Sequence, residues 1–478
     1  MTDRPMSPVK KLVTGTALIS SVNALRLAVQ LVSLPLLARL LNPEDYGVVA
    51  MAMPILLFVM LFADSGLGVS LVREKTADMT AWHSCFWLTA GLGAGLSLAL
   101  AALAPSFAHW MAEPTLAAVM ASLASVIMLQ SLTLVPGAAM QQQAMFSRIA
   151  IAEIIAILLS VGVAIAAALN GLGVWALVWQ QIVMYAVRLV LTALLGPYRP
   201  RLVFAWQAAR GHVVFGWTLL AANAIGFGGR SVESIMIGKF RGAADLGIYG
   251  MAFQFARLPW MIVTGPLQFV LYPLVAGAHS DIAKLRAQAL LASKVLATLL
   301  LAPMALIGAA GVPIFDLLLS EKWRDAAYIF ALIIPAMAVQ PVTGVLGTFI
   351  LAIGRPEIQL RLTLQSTILW MACLSSAVWF DLTTVAIAYT VSTLAFSVWS
   401  LKVMLPLLGC SLKDYAKAVG GQAILAIVMA GTYWAITQIW ALGDVFAILL
   451  AVVLACGCVG ISLLLARRDL TESLRALR

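Results

Sequence analysis

The sequence predicts an all-α integral membrane protein of about 14 transmembrane helices, built as two related six-helix lobes plus two C-terminal helices. Three observations carry this. Hydrophobic residues make up 63% of the 478-residue chain and charged residues 10%, with a mean hydropathy of +1.01, too little polar surface to cover a soluble fold. The apolar residues run unbroken over bilayer-spanning lengths of ~20, and lack the ten-residue alternation of a membrane barrel. Finally, two distant stretches match one another without a gap.

Read with a window of about 19 residues, spans fall near 12–38, 47–72, 82–104, 115–139, 149–169 and 172–195 in the first lobe. The second lobe holds 213–238, 246–275, 289–311, 327–352, 362–380 and 383–408, and 416–438 and 445–465 follow. This divides the chain into an N-lobe, 1–205, a C-lobe, 206–410, and a C-terminal part, 411–478. Pro35, Pro54, Pro136, Pro259, Pro266, Pro303, Pro335 and Pro341 lie inside spans, where each removes a backbone hydrogen bond and can bend its helix.

Charge sets the orientation. Of 30 Lys and Arg, 22 fall on the N-terminal side of alternate loops, Arg188 counted among them, and five on the other side. Arg26, Arg230 and Arg257 remain inside spans. By the positive-inside rule both termini are cytoplasmic. The same distribution accounts for the net charge of +10 without nucleic acid, whose binders collect basic residues on one folded face. The Lys10-Lys11 pair leads into an apolar run too long for a signal peptide, so the first span is expected to stay. Cys85, Cys373, Cys410, Cys456 and Cys458 have no C-x-x-C spacing and read as small apolar packing, with no metal site. His83, His109, His212 and His279 are single and near span ends.

The repeat places 15–53 over 215–253, a shift of 200 residues. Asn23 falls on Asn223, Ala24 on Ala224, Val32 on Val232, Asp45 on Asp245, Gly47 on Gly247, Met51 on Met251 and Ala52 on Ala252. A looser echo pairs the region after Arg148 with that after Arg361. Each half holds an even number of spans, so both enter the membrane from the same side and the relating axis runs along the membrane normal.

Polar residues recur on single helix faces. In the first span Thr16, Ser20, Asn23, Arg26, Gln30 and Ser33 are three or four apart. The seventh carries Asn223, Arg230 and Glu233, and the eighth Gln254, Arg257, Thr264 and Gln268. Such stripes suit either a water-accessible cavity or helix-to-helix hydrogen bonding. The arginines narrow the choice, because a charge in the bilayer core costs ~2.5–3.5 kcal/mol on insertion scales and normally faces protein or water. Arg230 and Glu233 can neutralise each other at i, i+3. Arg26 and Arg257 have no acid in reach on their own helices and read as unpaired midplane cations, suited to an anionic, phosphate-bearing ligand. Arg26, Arg230, Arg257, Asn23, Gln30, Asn223 and Gln254 are therefore the expected substrate-binding residues. Asp64, Glu153 and Glu233 are the expected sites for a coupled proton or sodium ion.

The run LARLLNPEDYGVVAMAMPILLFVMLFADSGLGVSLVREK, 37–75, resembles the signature of Wzx-type polysaccharide biosynthesis flippases, within the multidrug/oligosaccharidyl-lipid/polysaccharide exporter superfamily. FQFARLPWMIVTGPLQFVLYPLVAG, 253–277, is similar to that family's eighth helix. The likeness is closest to the lipopolysaccharide and colanic-acid-type exopolysaccharide branch. It implies alternating-access transfer of an undecaprenyl-diphosphate-linked oligosaccharide from the inner to the outer leaflet of the bacterial cytoplasmic (inner) membrane, alongside polysaccharide polymerase machinery, with no cofactor and no catalysis. It also implies a central cationic cavity holding Arg26, Arg230 and Arg257, with Asp45-Tyr46-Gly47 shaping a loop. The alternatives are an ion-coupled multidrug or cation antiporter of the same superfamily, which would depend on Asp64 or Glu233, and a lipid II flippase. An enzyme is disfavoured because no Asp-x-Asp pair and no large outer loop occurs, and a primary pump because no phosphate-binding G-x-x-x-x-G-K-[ST] run is present.

Overall fold

The computed structural model describes the backbone of residues 8–64, 66–73, 78–276, 282–440 and 443–476, and the side chains of 21–63, 66–68, 70–73, 78–214, 216, 231–259, 261–263, 282–440 and 443–462. Among the described residues the chain is helical, with no strand. Its helices are α1 (Pro8–Leu40), α2 (Pro43–Asp64), α3 (Leu67–Arg73), α4 (Met79–Met111), α5 (Thr115–Gln142), α6 (Phe146–Leu169), α7 (Val174–Leu195) and α8 (Trp206–Ala276). There follow α9 (Ile282–Ala309), α10 (Gly311–Leu318), α11 (Arg324–Ala352), α12 (Pro356–Ala377), α13 (Leu382–Leu407), α14 (Leu412–Ile439) and α15 (Asp444–Ala476). Eleven segments among the described residues are long and apolar enough to cross a membrane.

Three departures from the predicted spans have local causes. The span at 47–72 is two helices, because Gly66 takes a positive φ of 64° and ends the run between α2 and α3. The spans at 213–238 and 246–275 are joined as α8 across a kink at Gly242, whose φ of 86° and ψ of 178° are open to glycine. The connection from α9 to α11 holds the short α10 and a 3-10 turn at Glu321–Trp323.

Helix starts follow capping chemistry. Asp78 accepts from the Thr80 amide at 2.9 Å to open α4, and Asp381 from the Thr384 amide at 2.7 Å to open α13. Ser411 and Asp414 form a reciprocal capping box on α14. At α2 the Asp45 carboxylate accepts the Asn42 amide at 2.9 Å, so the Asp45-Tyr46-Gly47 signature shapes a helix start.

The chain divides into two compact units, Met1–Gly247 and Ile248–Arg478. In the first, α5 is central, packed by α2, α3, α4, α6 and α7, while α1 lies on α6. In the second, α9 and α11 pack together, α13 covers α11, α12 lies against α13, and α14 and α15 cover α9.

The 200-residue repeat has a physical counterpart inside the first unit. A Cβ on Gly47 would overlap the Ala243 carbonyl, and a Cβ on Gly247 would overlap the Pro43 carbonyl. Residue 43 is the repeat mate of 243 and 47 of 247, so the contact is reciprocal about the relation read from the sequence. Later in the chain two turns also match, in a register other than the one read from Arg148 and Arg361. The turn after α5 places Ala144 at φ 54° and the turn after α11 places Gly354 at φ 78°, and α6 and α12 start at 146 and 356. The offset there is 210, which sets Arg148 opposite Ile358 and not opposite Arg361.

Replacing Gly47 by Val is expected to destabilise the protein by at least ~1–3 kcal/mol through overpacking. Gly91→Ala, at a position with open space around it, should be neutral or slightly stabilising. Thermal unfolding followed by size-exclusion chromatography of the detergent-solubilised variants separates the two.

Candidate functional site

The charged centre of the first unit grows from α6. Ala150, Ala152, Ala156, Ser160, Ala164 and Ala167 are buried along this helix, and these small side chains let α1 and α7 approach it closely. Glu153 sits on that face, with its side chain 10% exposed. One carboxylate oxygen accepts from Arg26 of α1 at 3.0 Å and the other from Arg188 of α7 at 2.7 Å. Glu153 and Arg188 each lie seven residues, ~10 Å, from the same end of the antiparallel α6 and α7 pair.

This corrects the reading of Arg26 as an unpaired cation. Its acid lies 127 positions away on another helix, where spacing along α1 cannot reveal it. The trio of two guanidiniums and one carboxylate retains one net positive charge. Both oxygens of Glu153 are engaged by arginine, so a cation binding there would have to displace a guanidinium.

Glu153 and Arg188 of this trio border a cavity of about 210 Å³, whose other polar lining residues include Gln130, Thr133, Gln141 and Thr192. The Gln130 Oε1 atom is buried in it without a hydrogen-bond partner. The cavity therefore offers a guanidinium, amides and hydroxyls in an otherwise apolar bundle, a combination that suits an oxygen-rich, negatively charged group.

In the second unit Arg257 is exposed, and no acid pairs with it among the described residues. Its guanidinium carbon lies 5.9 Å from the centroid of Phe253, within cation–π range. From there an aromatic chain continues, Phe253 to Tyr389 at 4.8 Å and Tyr389 to Trp370 at 5.1 Å between ring centroids.

Of the other expected substrate contacts, Asn23 is exposed, and Gln30 and Gln254 are half-buried. Ser33 is buried and Glu233 half-buried. The side chains of Arg230, Asn223, Asp64, Thr264 and Gln268 lie outside the described residues. Arg188 is the residue that sequence reasoning missed: it was assigned to a loop, although it falls inside the span predicted at 172–195. That mismatch was the available signal.

The described residues thus form a multi-pass helical bundle with a buried charge cluster beside a polar cavity. Over 95% of this chain the structure superposes on a lipid II flippase, MurJ, in an inward-closed conformation, covering all of that chain with a TM-score of 0.73 at 12% identity. A multidrug resistance MATE family transporter of the MOP superfamily, inward-facing, matches 80% of this chain and 95% of its own with a TM-score of 0.60 at 14% identity. The chain belongs to the polysaccharide biosynthesis protein family, whose model matches residues 36–328. It is similar to the succinoglycan biosynthesis transport protein ExoT of Rhizobium meliloti, 29% identical over 62% of this chain and 60% of that protein. It is also similar to the lipopolysaccharide biosynthesis protein WzxC of Escherichia coli, 22% identical over 77% and 75%, and to the teichuronic acid biosynthesis protein TuaB of Bacillus subtilis, 24% identical over 74% and 73%. The match to ExoT thus spans less than two thirds of that protein's length.

Removing the shared acid should be worse than removing one of its bases. Glu153→Ala strands two guanidiniums; breaking a buried pair costs ~3–5 kcal/mol, here an upper bound because Arg26 and Arg188 keep 47% and 33% side-chain exposure. Arg26→Ala leaves Glu153 still paired with Arg188 and should cost far less. A double-mutant cycle by thermal unfolding should show the Glu153→Ala penalty partly relieved when Arg26 is also removed.

Proposed function

We propose that this protein is a flippase that carries an undecaprenyl-diphosphate-linked oligosaccharide from the inner to the outer leaflet of the bacterial cytoplasmic membrane, for surface exopolysaccharide or lipopolysaccharide synthesis. The observation that carries the reading is the net positive Arg26–Glu153–Arg188 trio set against a polar cavity. Membership of the polysaccharide biosynthesis family supplies the cargo class. A diphosphate is the part of such a glycolipid that needs guanidiniums, and an Arg fork can donate two parallel hydrogen bonds to it.

In this reading Arg188 is the principal diphosphate contact of the first unit, Arg26 joins it when Glu153 releases it, and Arg257 is the cationic cargo contact of the second unit. Arg230, Asn23, Gln30, Asn223 and Gln254 are secondary contacts on the same helices. The repeat lobes are 1–205 and 206–410, with 411–478 appended, and both termini are cytoplasmic. Transfer proceeds by alternating access, and the membrane potential favours it: each charge crossing 100 mV contributes ~2.3 kcal/mol, so a doubly negative head group gains roughly twice that on leaving an inside-negative cell. A proton or sodium ion at Asp64 or Glu233 is the proposed means of resetting the empty carrier. The exported unit then passes to polysaccharide polymerase machinery.

Deleting the protein should leave lipid-linked repeat units facing the cytoplasm, detected as accumulated glycolipid resistant to an external glycosidase. Arg188→Ala and Arg257→Ala, expressed at wild-type levels, should each lower surface polysaccharide by about tenfold or more, the consequence of losing a charge-assisted hydrogen bond worth ~1.5–3 kcal/mol. Normal polysaccharide in both variants would rule out these residues as diphosphate contacts.

A further inference from the structure

The second unit contains a cavity of about 310 Å³ between α11, α12 and α13. It is the repeat mate of the charged cavity in the first unit. Counting 210 residues on from Gln130, Thr133, Ile149 and Glu153 gives Gln340, Thr343, Gln359 and Thr363, and all four line the second cavity. From α7 to α13 the offset is 208, the distance between their first residues, and it carries Arg188 to Phe396 and Thr192 to Ser400, which line it too.

The duplicated frame of one Gln and one Thr, three apart on a helix, is kept, while the chemistry around it is exchanged. Where the first cavity has the Glu153–Arg188 ion pair, the second has Thr363 and Phe396, and no charged residue lines it among the described residues. A second aromatic, Trp370, joins the lining, and its far side meets Tyr389 in the chain that leads to Phe253 and Arg257.

Hydrogen-bond accounting shows what the second cavity offers. Thr363 donates to the Gln359 carbonyl at 2.9 Å, Ser366 to that of Thr363 at 2.8 Å, and Ser400 to that of Ser397 at 2.8 Å. Their protons are committed to their own helices, which leaves hydroxyl oxygens as acceptors. The side-chain amides of Gln340 and Gln359 have no hydrogen-bond partner among the described residues, and each holds two donors. Gln359 is pressed against Gly347, whose added Cβ would stand 2.6 Å from Oε1, so its amide is held in place.

Uncharged acceptors, uncharged donors and two aromatic rings together match a ligand with many hydroxyls, an apolar C–H face and no charge. A phosphate would find no cation there, and a lipid chain would leave the amides unsatisfied. We infer that the cavity bounded by Gln340, Gln359, Thr363, Trp370 and Phe396 is a subsite for a neutral pyranose residue of the transported glycan. The inference rests on the proposed flippase function and deepens it: duplication has produced one cavity suited to the diphosphate and one suited to sugar, and the aromatic chain places the sugar cavity in the same neighbourhood as Arg257.

The test is saturation-transfer-difference NMR on the full-length protein in nanodiscs, with the methyl glycosides of glucose, galactose and N-acetylglucosamine as probes. Undecaprenyl diphosphate, which has no sugar, is titrated separately. At least one glycoside should receive saturation, strongest on its ring C–H protons. That signal should fall roughly fivefold or more in Trp370→Ala and in Gln340→Ala, and persist in Trp370→Phe. Gln340→Ala is at an exposed position and keeps the measurement decisive if Trp370→Ala fails to fold. Undecaprenyl diphosphate binding with no glycoside signal, or a glycoside signal unchanged in Gln340→Ala and in folded Trp370→Ala, overturns the sugar subsite while leaving the flippase reading intact. Failure of the wild type to bind undecaprenyl diphosphate overturns the flippase reading itself, and the sugar subsite with it.

Discussion

The sharing of one buried carboxylate between two guanidiniums is the interaction on which the site depends. An isolated charge on any of α1, α6 or α7 would be expelled from an apolar bundle, and a one-to-one pair would be neutral and inert. Glu153 held by Arg26 and Arg188 avoids both outcomes: both carboxylate oxygens are paired, and one positive charge is left over beside the Gln130 cavity. The small-residue face of α6 makes this possible, since only alanine and serine neighbours let two helices bring arginines to the same acid. Arg188, with its shorter 2.7 Å bond and lower exposure, is the more firmly held of the two.

The internal sequence repeat bears on much of the remaining architecture. Helices in a membrane gain little from hydrophobic burial against one another, so close backbone approach has to come from small residues. The pair Gly47 and Gly247 does this at two positions matched by the 200-residue repeat, one lying on the Ala243 carbonyl beside the α8 kink and the other on the Pro43 carbonyl at the start of α2. Two cavities share a Gln-and-Thr frame and differ in their remaining contents. The proposed cargo, with a charged head and neutral sugars, gives that divergence a use, because no single cavity lining suits both parts.

The class of the protein and most of its helices were legible in composition and apolar run length, because a bilayer imposes a length on every span. The polar face of α1 was legible from the spacing of Asn23, Arg26 and Gln30. The partner of Arg26 was not: Glu153 approaches from another helix, and a single sequence carries no information about which helices touch. Arg188 was obscured by a charge tally that treated it as a loop residue. The break at Gly66 was hidden inside a continuous apolar run, where one glycine looks like any other until its φ is known. The repeat was readable at offset 200, where identities cluster around Asp45 and Gly47. At offset 210 the match is confined to a short stretch, Gln130, Thr133, Val135 and Gly137 against Gln340, Thr343, Val345 and Gly347, and it stood out only once the turns at Ala144 and Gly354 fixed the register.

The central claim is that arginines in an apolar bundle select cargo by its diphosphate. The most direct measurement is leaflet-to-leaflet transfer in proteoliposomes, comparing one fluorescent oligosaccharide linked to undecaprenol through a diphosphate with the same oligosaccharide linked through a neutral bond. The account predicts protein-dependent transfer of the diphosphate form and transfer of the neutral form no faster than in protein-free vesicles. Equal transfer of both, or transport of a cationic dye in preference to either, would contradict it.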